Sequence, residues 1–257
     1  MKVLIELVSD VLDDEYTEVV YRSYDVPKQE RNVVHINDNI ELPEKWNIGV
    51  IYGQSGCGKS SLARHFFGAK LGTYDWCGHE NGKPLNRDKK IALISHFGIN
   101  KKTTPEGAME LLVAVGFNTM VSWIRPYAVL STGEKARANL AMSLAKGLKK
   151  GNEGKIICID EYTSVVDRNT ALSMSNAVQK YIRRKNLKIV FISCHEDILS
   201  PLKPDWIFNP KIGETLYGEH VNPELYSKYS MDNMRRGSII ADLEIKPKVL
   251  IEDEVCK

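Results

Sequence analysis

Three short apolar runs punctuate the chain, and each leads into polar residues of a different kind. "NIGVIY" (47–52) runs into glycines, "KIICI" (155–159) into acids, and "KIVFI" (188–192) into Ser-Cys-His-Glu-Asp. Apolar runs of this length bounded by turn residues predict buried strands. Between the last two, "NTALSMSNAVQKYIRRKN" (169–186) has apolar residues at helical spacing. Strands alternating with helices predict a parallel α/β sheet. "TTPEGAMELLVAVGF" (103–117) opens a helix with Thr104 as N-cap and Pro105 in the first turn. From there to about residue 149 the pattern stays helical. It includes a segment with Ala and Leu at 136, 140, 141, 144, 145 and 148 on one face. This block, about 104–149, reads as an inserted helical lobe. Nearer the start, "KVLIELV" (2–8), "TEVVYRSYDV" (17–26) and "NIELP" (39–43) predict the strands of an antiparallel β subdomain over about 1–45. "KIALI" (90–94) predicts one more short buried strand, and the run "IICI" a strand beside "IGVIY". A main domain over 1–210 and an extension over 211–257 of unassigned role follow from this reading.

Composition narrows the picture little. With 257 residues, 43% apolar and 26% charged, the chain can bury a sizeable core, and a net charge of +2 implies no global attraction to nucleic acid or anionic lipid. No apolar run is long enough to cross a bilayer, and acids interrupt the first residues before a signal-peptide core could form. Five scattered cysteines without a CxxC pair suit reduced thiols in a cytoplasm. Cys77 and His79 lie close together but lack a second pair that would complete a metal set.

Chemistry enters with Gly53-Gln54-Ser55-Gly56-Cys57-Gly58-Lys59-Ser60, a complete P-loop pattern set between a predicted strand and a predicted helix. Its glycines let backbone N–H groups converge on a β-phosphate at the positive end of the helix. Lys59 is placed for the β- and γ-phosphates and Ser60 for Mg²⁺, with Ser61 beside it in the phosphate-binding set. In "IICIDEYTSVVD" Asp160 ends a strand, where it can hold Mg²⁺ through water. Glu161 stands where a carboxylate can orient and deprotonate an attacking water. His195 closes another strand of the same sheet, at the carboxyl ends where ligands of such sheets sit. It can donate to the γ-phosphate or hold Glu161 and the water in line. "LSTGE" (130–134) offers a hydroxyl and a helix start, a second anion site in the same chain.

In this order, P-loop, "LSTGE", "ICIDE", "SVVD" (164–167) and His195, the chain resembles the ABC-type ATPases over roughly residues 20–200. The resemblance implies binding and hydrolysis of Mg-ATP in a head-to-tail homodimer. Each ATP would lie between one copy's P-loop and the other's signature turn, contacted by Ser131 and Gly133, while Asp167 communicates between the two sites. The two anion sites then become halves of one. Arg137 matches an arginine that commonly follows the signature. An aromatic of the N-terminal sheet would stack on the base, with Tyr24 the candidate and Tyr21 the alternate. The chain also departs from the family pattern. Thr132 replaces a glycine, Glu134 a glutamine and Tyr162 a proline. The metal-sensing glutamine is absent, and His96 in "SHFG" stands nearest its place.

Three functions remain in play. The expected one is a cytoplasmic ABC-type ATPase driving an unidentified non-membrane protein partner. Nucleic acid is a further possible partner, for which "KYIRRKNLK" (180–188) and "GLKKGNEGK" (147–155) supply the basic residues. The second is the ATP-binding subunit of an ABC transporter. The third is a P-loop kinase, against which the signature and "SVVD" both argue. A head with an inserted coiled coil is excluded, because none separates P-loop and signature. "MRRGSIIADLEI" (234–245) is faintly similar to the join in ABC ATPases fused to a predicted GNAT-type acetyltransferase.

Overall fold

The computed structural model describes residues 2–10, 13–28, 31–40, 42–67, 74–99, 103–152, 154–210 and 214–217. The acetyltransferase-like stretch 234–245 lies outside them, as does most of the extension after residue 210. Strands β1 (Lys2–Asp10) and β2 (Arg31–Asn39) pair antiparallel, Ile5 opposite Ile36, with helix α1 (Glu15–Tyr24) between them. The strand expected over 17–26 is therefore a helix. Asp14 caps it, its carboxylate accepting from the Tyr16 and Thr17 amides while Thr17 reaches back to the Asp14 amide, and Glu15 and Glu18 complement the first turn. The valines and tyrosines that suggested a strand lose to these caps. The strand expected at 39–43 also shifts, since β2 ends at Asn39.

The central sheet has β3 (Ile48–Tyr52) in its middle. From β3 the chain enters helix α2 (Lys59–Phe67), then a two-residue hairpin, β4 (His79–Glu80) with β5 (Lys83–Pro84), turned by Asn81 and Gly82, both with positive φ. One-turn helices α3 (Arg87–Lys90) and α4 (Ser95–Gly98) follow. The expected strand at 90–94 does not form. Ala92 makes a single bridge to Pro126, and Leu93 is buried as a core plug of the lobe. The lobe itself is α5 (Pro105–Ala114), α6 (Met120–Trp123), a 3₁₀ turn at Tyr127–Val129 and α7 (Thr132–Gly147), helical throughout as its periodicity implied. Then come β6 (Ile156–Ile159), α8 (Arg168–Arg184), β7 (Lys188–Ser193), α9 (Leu199–Leu202), β8 (Trp206–Asn209) and β9 (Glu214–Tyr217).

The strand order is β6-β7-β3-β8-β9, parallel except for β9. β7 thus lies between β3 and β6, so the acid-ended strand is not the direct neighbour of the P-loop strand. Alternation along β3 splits the core: Ile48, Val50 and Tyr52 face the lobe, while Ile51 faces α2 and Trp206. Two glycines set close approaches. A methyl on Gly49 would lie 2.0 Å from the Trp206 ring, and one on Gly147 2.3 Å from Ile157. Trp206 is fully buried and meets Trp46 edge to face at 5.5 Å, so it has no room to retreat.

Gly49→Ala is expected to lower stability by about 1–3 kcal/mol through overpacking. The Gly82→Ala control keeps its surroundings clear and loses only what its positive φ demands. Urea unfolding followed by tryptophan fluorescence distinguishes the two.

Candidate active site

β3 delivers the chain into a loop whose shape depends on glycine. Gly56 and Gly58 have φ of 80° and 85°, and a methyl on Gly53 would come within 2.8 Å of Cys57 Sγ. Ser55 is exposed on this loop, and Ser61 lies in the first turn of α2. Lys59 Nζ donates to the carbonyls of Gly53 at 2.8 Å and Gln54 at 2.7 Å, which holds the ammonium over the loop. Ser60 Oγ donates to Asp160 Oδ1 at 3.0 Å. This bond joins the end of β6 to the start of α2, two elements a hundred residues apart in sequence. A hydroxyl and a carboxylate are hard oxygen donors of the kind Mg²⁺ takes alongside substrate phosphates. Among the described residues no group of three His, Cys, Asp or Glu side chains is arranged to hold a metal, so substrate oxygens and water would complete the shell.

Beyond Asp160 the backbone turns sharply. Glu161 and Thr163 have φ of 52° and 67°, rare for side-chain-bearing residues and most of all for a β-branched one. Glu161 is exposed, whereas Tyr162 between them is buried, its ring against Phe191 and its hydroxyl 3.0 Å from Ser175 Oγ. His195 is half-buried at the end of β7. Burial lowers its pKa below the usual imidazole value and the Arg168 charge adds to this, while Asp197 and Glu161 oppose it. The ring lies within electrostatic reach of Glu161, and its burial favours the uncharged form. Arg168 Nε donates to Asp197 Oδ2 at 2.8 Å and its Nη2 to Oδ1, tying the start of α8 to the His195 turn.

The signature turn is built as a helix cap. Ser131 Oγ accepts from the Glu134 amide, and Glu134 Oε2 accepts from the Ser131 amide at 2.9 Å. Glu134 Oε1 accepts from Ser122 Oγ at 2.6 Å. The Ser122 hydroxyl, then the Ser131 amide, hold this carboxyl below the usual range. The acid in the glutamine's place is thereby occupied locally on both oxygens. Gly133 lies 3.5 Å from Val165 O and Val166 Cγ1, taking a methyl as reference, so the signature rests on its own chain's "SVVD" loop. Asp167 caps α8 through the Thr170 amide at 2.9 Å. Arg137, its guanidinium over the Phe117 ring at 5.3 Å, feels both Glu134 and Asp167. Among the described residues, no hydrogen bond joins this turn to the phosphate loop of the same chain.

Two candidates fall elsewhere. His96 is 2% exposed and packs at 4.9 Å on Trp76, which stacks on Tyr127, and neither imidazole nitrogen has a hydrogen-bond partner. Burial lowers its pKa. It belongs to an aromatic cluster of the lobe with Tyr74, Trp76 and Tyr127. Tyr24 ends α1 rather than sitting in a strand, and its ring is 77% exposed.

The chain is similar to known proteins. The methionine import ATP-binding protein MetN of Staphylococcus haemolyticus is 30% identical over 210 residues, covering 71% of this chain and 58% of that protein. MetN 1 of Oenococcus oeni is 29% identical over 202 residues, 66% of this chain and 54% of the relative. A dimeric post-hydrolysis structure of the ATP-binding cassette MJ0796 with ADP and Pi superposes with a TM-score of 0.50 at 15% identity, covering 74% of this chain and 94% of that one. The chain has the fold of ABC-type nucleotide-binding domains. It spans a little over half the length of the two MetN relatives. No protein-family model matches it.

Beside the site lies a buried acid that the motifs did not reveal. Glu196, 7% exposed behind His195, has Oε2 3.5 Å from the Tyr52 hydroxyl and Oε1 without a partner. Burial first, with the Asp197 charge, pushes its carboxyl up to about 7. The fully apolar neighbours Ile192 and Ile198 were the only sequence hint. With its pKa raised from 4.5 in the unfolded chain, the native state holds the extra proton. The stability Glu196 contributes is complete below pH 4.5 and is lost as pH rises through about 7. Across that window wild type should lose on the order of 1–3 kcal/mol relative to Glu196→Gln. Thermal melts of both proteins at a series of pH values provide the check.

Proposed function

We propose that the chain binds Mg-ATP and hydrolyses it between two copies packed head to tail, as the ATP-driven subunit of a membrane transport assembly. The Ser60–Asp160 bond, with Glu161 and His195 at the same end of the sheet, carries the hydrolytic part of this reading. Lys59 and the loop amides bind the phosphates, and Ser60 and Asp160 hold Mg²⁺, which neutralises phosphate charge. Glu161 takes the proton of the attacking water, and neutral His195 orients it from the side facing Glu161. The exposed Ser131 turn is free to cap a phosphate on the partner copy with its hydroxyl and the start of α7. Binding that bridges two surfaces favours the pair, and hydrolysis releases it.

The membrane-transport partner is favoured over a non-membrane one by the similarity to the methionine import proteins MetN and by the lobe's surface. Met109, Val113, Met120, Val121 and Ile124 are all exposed on α5 and the α6 segment. An open cavity of 280 Å³ lies beside them between α5 and α8, lined by Val113, Gly116 and Met174 among others. Exposed apolar surface of this kind marks a docking site. The basic helix end gives nucleic acid little support, because Arg183 pairs with Asp205, and Arg184 and Lys185 with Glu110. No helix among the described residues is long and apolar enough to cross a membrane.

Glu161→Gln is expected to cut turnover by at least about 100-fold while retaining ATP. With Mg-ATP it should elute as a dimer in size-exclusion chromatography. Ser131→Arg in the same background should bind ATP and remain a monomer, and Lys59→Ala should lose ATP binding. A Glu161→Gln protein that stays monomeric at saturating Mg-ATP would overturn the head-to-tail arrangement.

A further inference from the structure

Ser193 ends β7 at 2% exposure, and three loops converge on it. Its carbonyl accepts from the Gly53 amide of the phosphate loop at 3.3 Å. Its hydroxyl donates to the Tyr162 carbonyl at 3.0 Å and accepts from the His195 amide at 3.0 Å. One residue earlier, the Ile192 carbonyl accepts from the Tyr162 amide at 2.9 Å. Tyr162 is thus stitched to β7 through both its amide and its carbonyl. It is also the residue flanked by the left-handed Glu161 and Thr163. A proline at 162 would lack the amide for the first stitch, and the second needs a hydroxyl at 193. Two of this chain's own residues therefore combine to hold a strained turn.

From this convergence we infer that Ser193 is a positioning residue: it fixes the Glu161 turn and the His195 turn in one frame with the phosphate loop. The inference rests on the hydrolytic reading above. A hydroxyl both donates and accepts, so a single side chain can set the distance between the two turns. Alanine leaves a buried carbonyl and a buried amide unpaired and frees Glu161 and His195 to move independently. Threonine restores both bonds if the pocket admits its methyl, and cysteine, of the same shape, restores them weakly.

The test measures kcat, KM for Mg-ATP and calorimetric ADP affinity for wild type, Ser193→Ala, Ser193→Thr, Ser193→Cys, His195→Ala and the Ser193→Ala/His195→Ala pair. Expected for Ser193→Ala is a fall in kcat of about 10- to 100-fold, as for loss of one or two kcal-scale contacts made at the reacting groups. KM and ADP affinity should stay within about twofold of wild type, since the phosphate loop keeps its backbone bond. In the His195→Ala background the same substitution should cost less than about threefold, the mark of residues acting as a unit. Ser193→Cys should fall between alanine and wild type, which keeps the test decisive if Ser193→Thr fails to fold. Hydrogen exchange read by mass spectrometry should show the His195 and Tyr162 amides exchanging at least about tenfold faster in Ser193→Ala. Unchanged kcat, an equal loss in the His195→Ala background, or unchanged exchange overturns the inference. If wild type shows no turnover, the hydrolytic reading fails instead, and the exchange measurement still decides whether Ser193 holds the two turns.

Discussion

The register of three parallel strands governs everything chemical in this protein. Tyr52 on β3 stands opposite Ser193 on β7, and Ile159 on β6 opposite Phe191. β3 and β7 consequently end at one level, and β6 ends two residues short of it. Gly53 follows β3, Cys194 and then His195 follow β7, and Asp160 follows β6, so all three turns leave the same carboxyl edge of the sheet. A slip by one residue would turn the side chains of a strand to the opposite face and separate the Ser60–Asp160 pair. Packing enforces the register on both sides, with Gly49 against Trp206 on one face and Ile48, Val50 and Tyr52 against the lobe on the other.

Much of this was legible in the sequence, because the residues concerned act through local geometry. A P-loop is recognisable where a strand, three spaced glycines and a helix start coincide. The lobe's helices follow from caps at Thr104 and Ser131 and from sustained periodicity. The errors lie where local signals compete or where the answer is three-dimensional. In 17–26 the valines and tyrosines suit a strand, but the Asp14 capping box decides for a helix. The run at 90–94 is apolar because Leu93 plugs the lobe, and burial alone cannot tell a plug from a strand. That β7 separates β3 from β6 is a matter of strand order, on which sequence spacing is silent. β8 was missed because its four residues are hemmed by Pro204 and Pro210, which read as loop.

The departures from the ABC signature make physical sense once neighbours are known. Glu134 would oppose a phosphate if it projected freely. Instead it spends one oxygen on the Ser131 amide and the other on Ser122, and so orients the hydroxyl of Ser131. The same acid shares Arg137 with Asp167, which links the signature helix electrostatically to the start of α8. His96 shows the opposite outcome. A residue standing near a functional position in the linear pattern is absorbed by aromatic packing, and its nitrogens meet no partner.

Strain and support are paired at the catalytic edge. Glu161 and Thr163 occupy backbone conformations that an isolated chain avoids, and the surrounding structure must over-determine them. The support comes from elements that bury well: the Tyr162 ring against Phe191, its hydroxyl on Ser175 of α8, and its amide and carbonyl on the end of β7. One of those anchors lies on α8, which starts after its cap Asp167, and the Arg168–Asp197 pair connects that helix to the His195 turn. A turn held by several separate elements adopts its working geometry only when all of them agree. That makes the position of Glu161 depend on the packing of the whole domain.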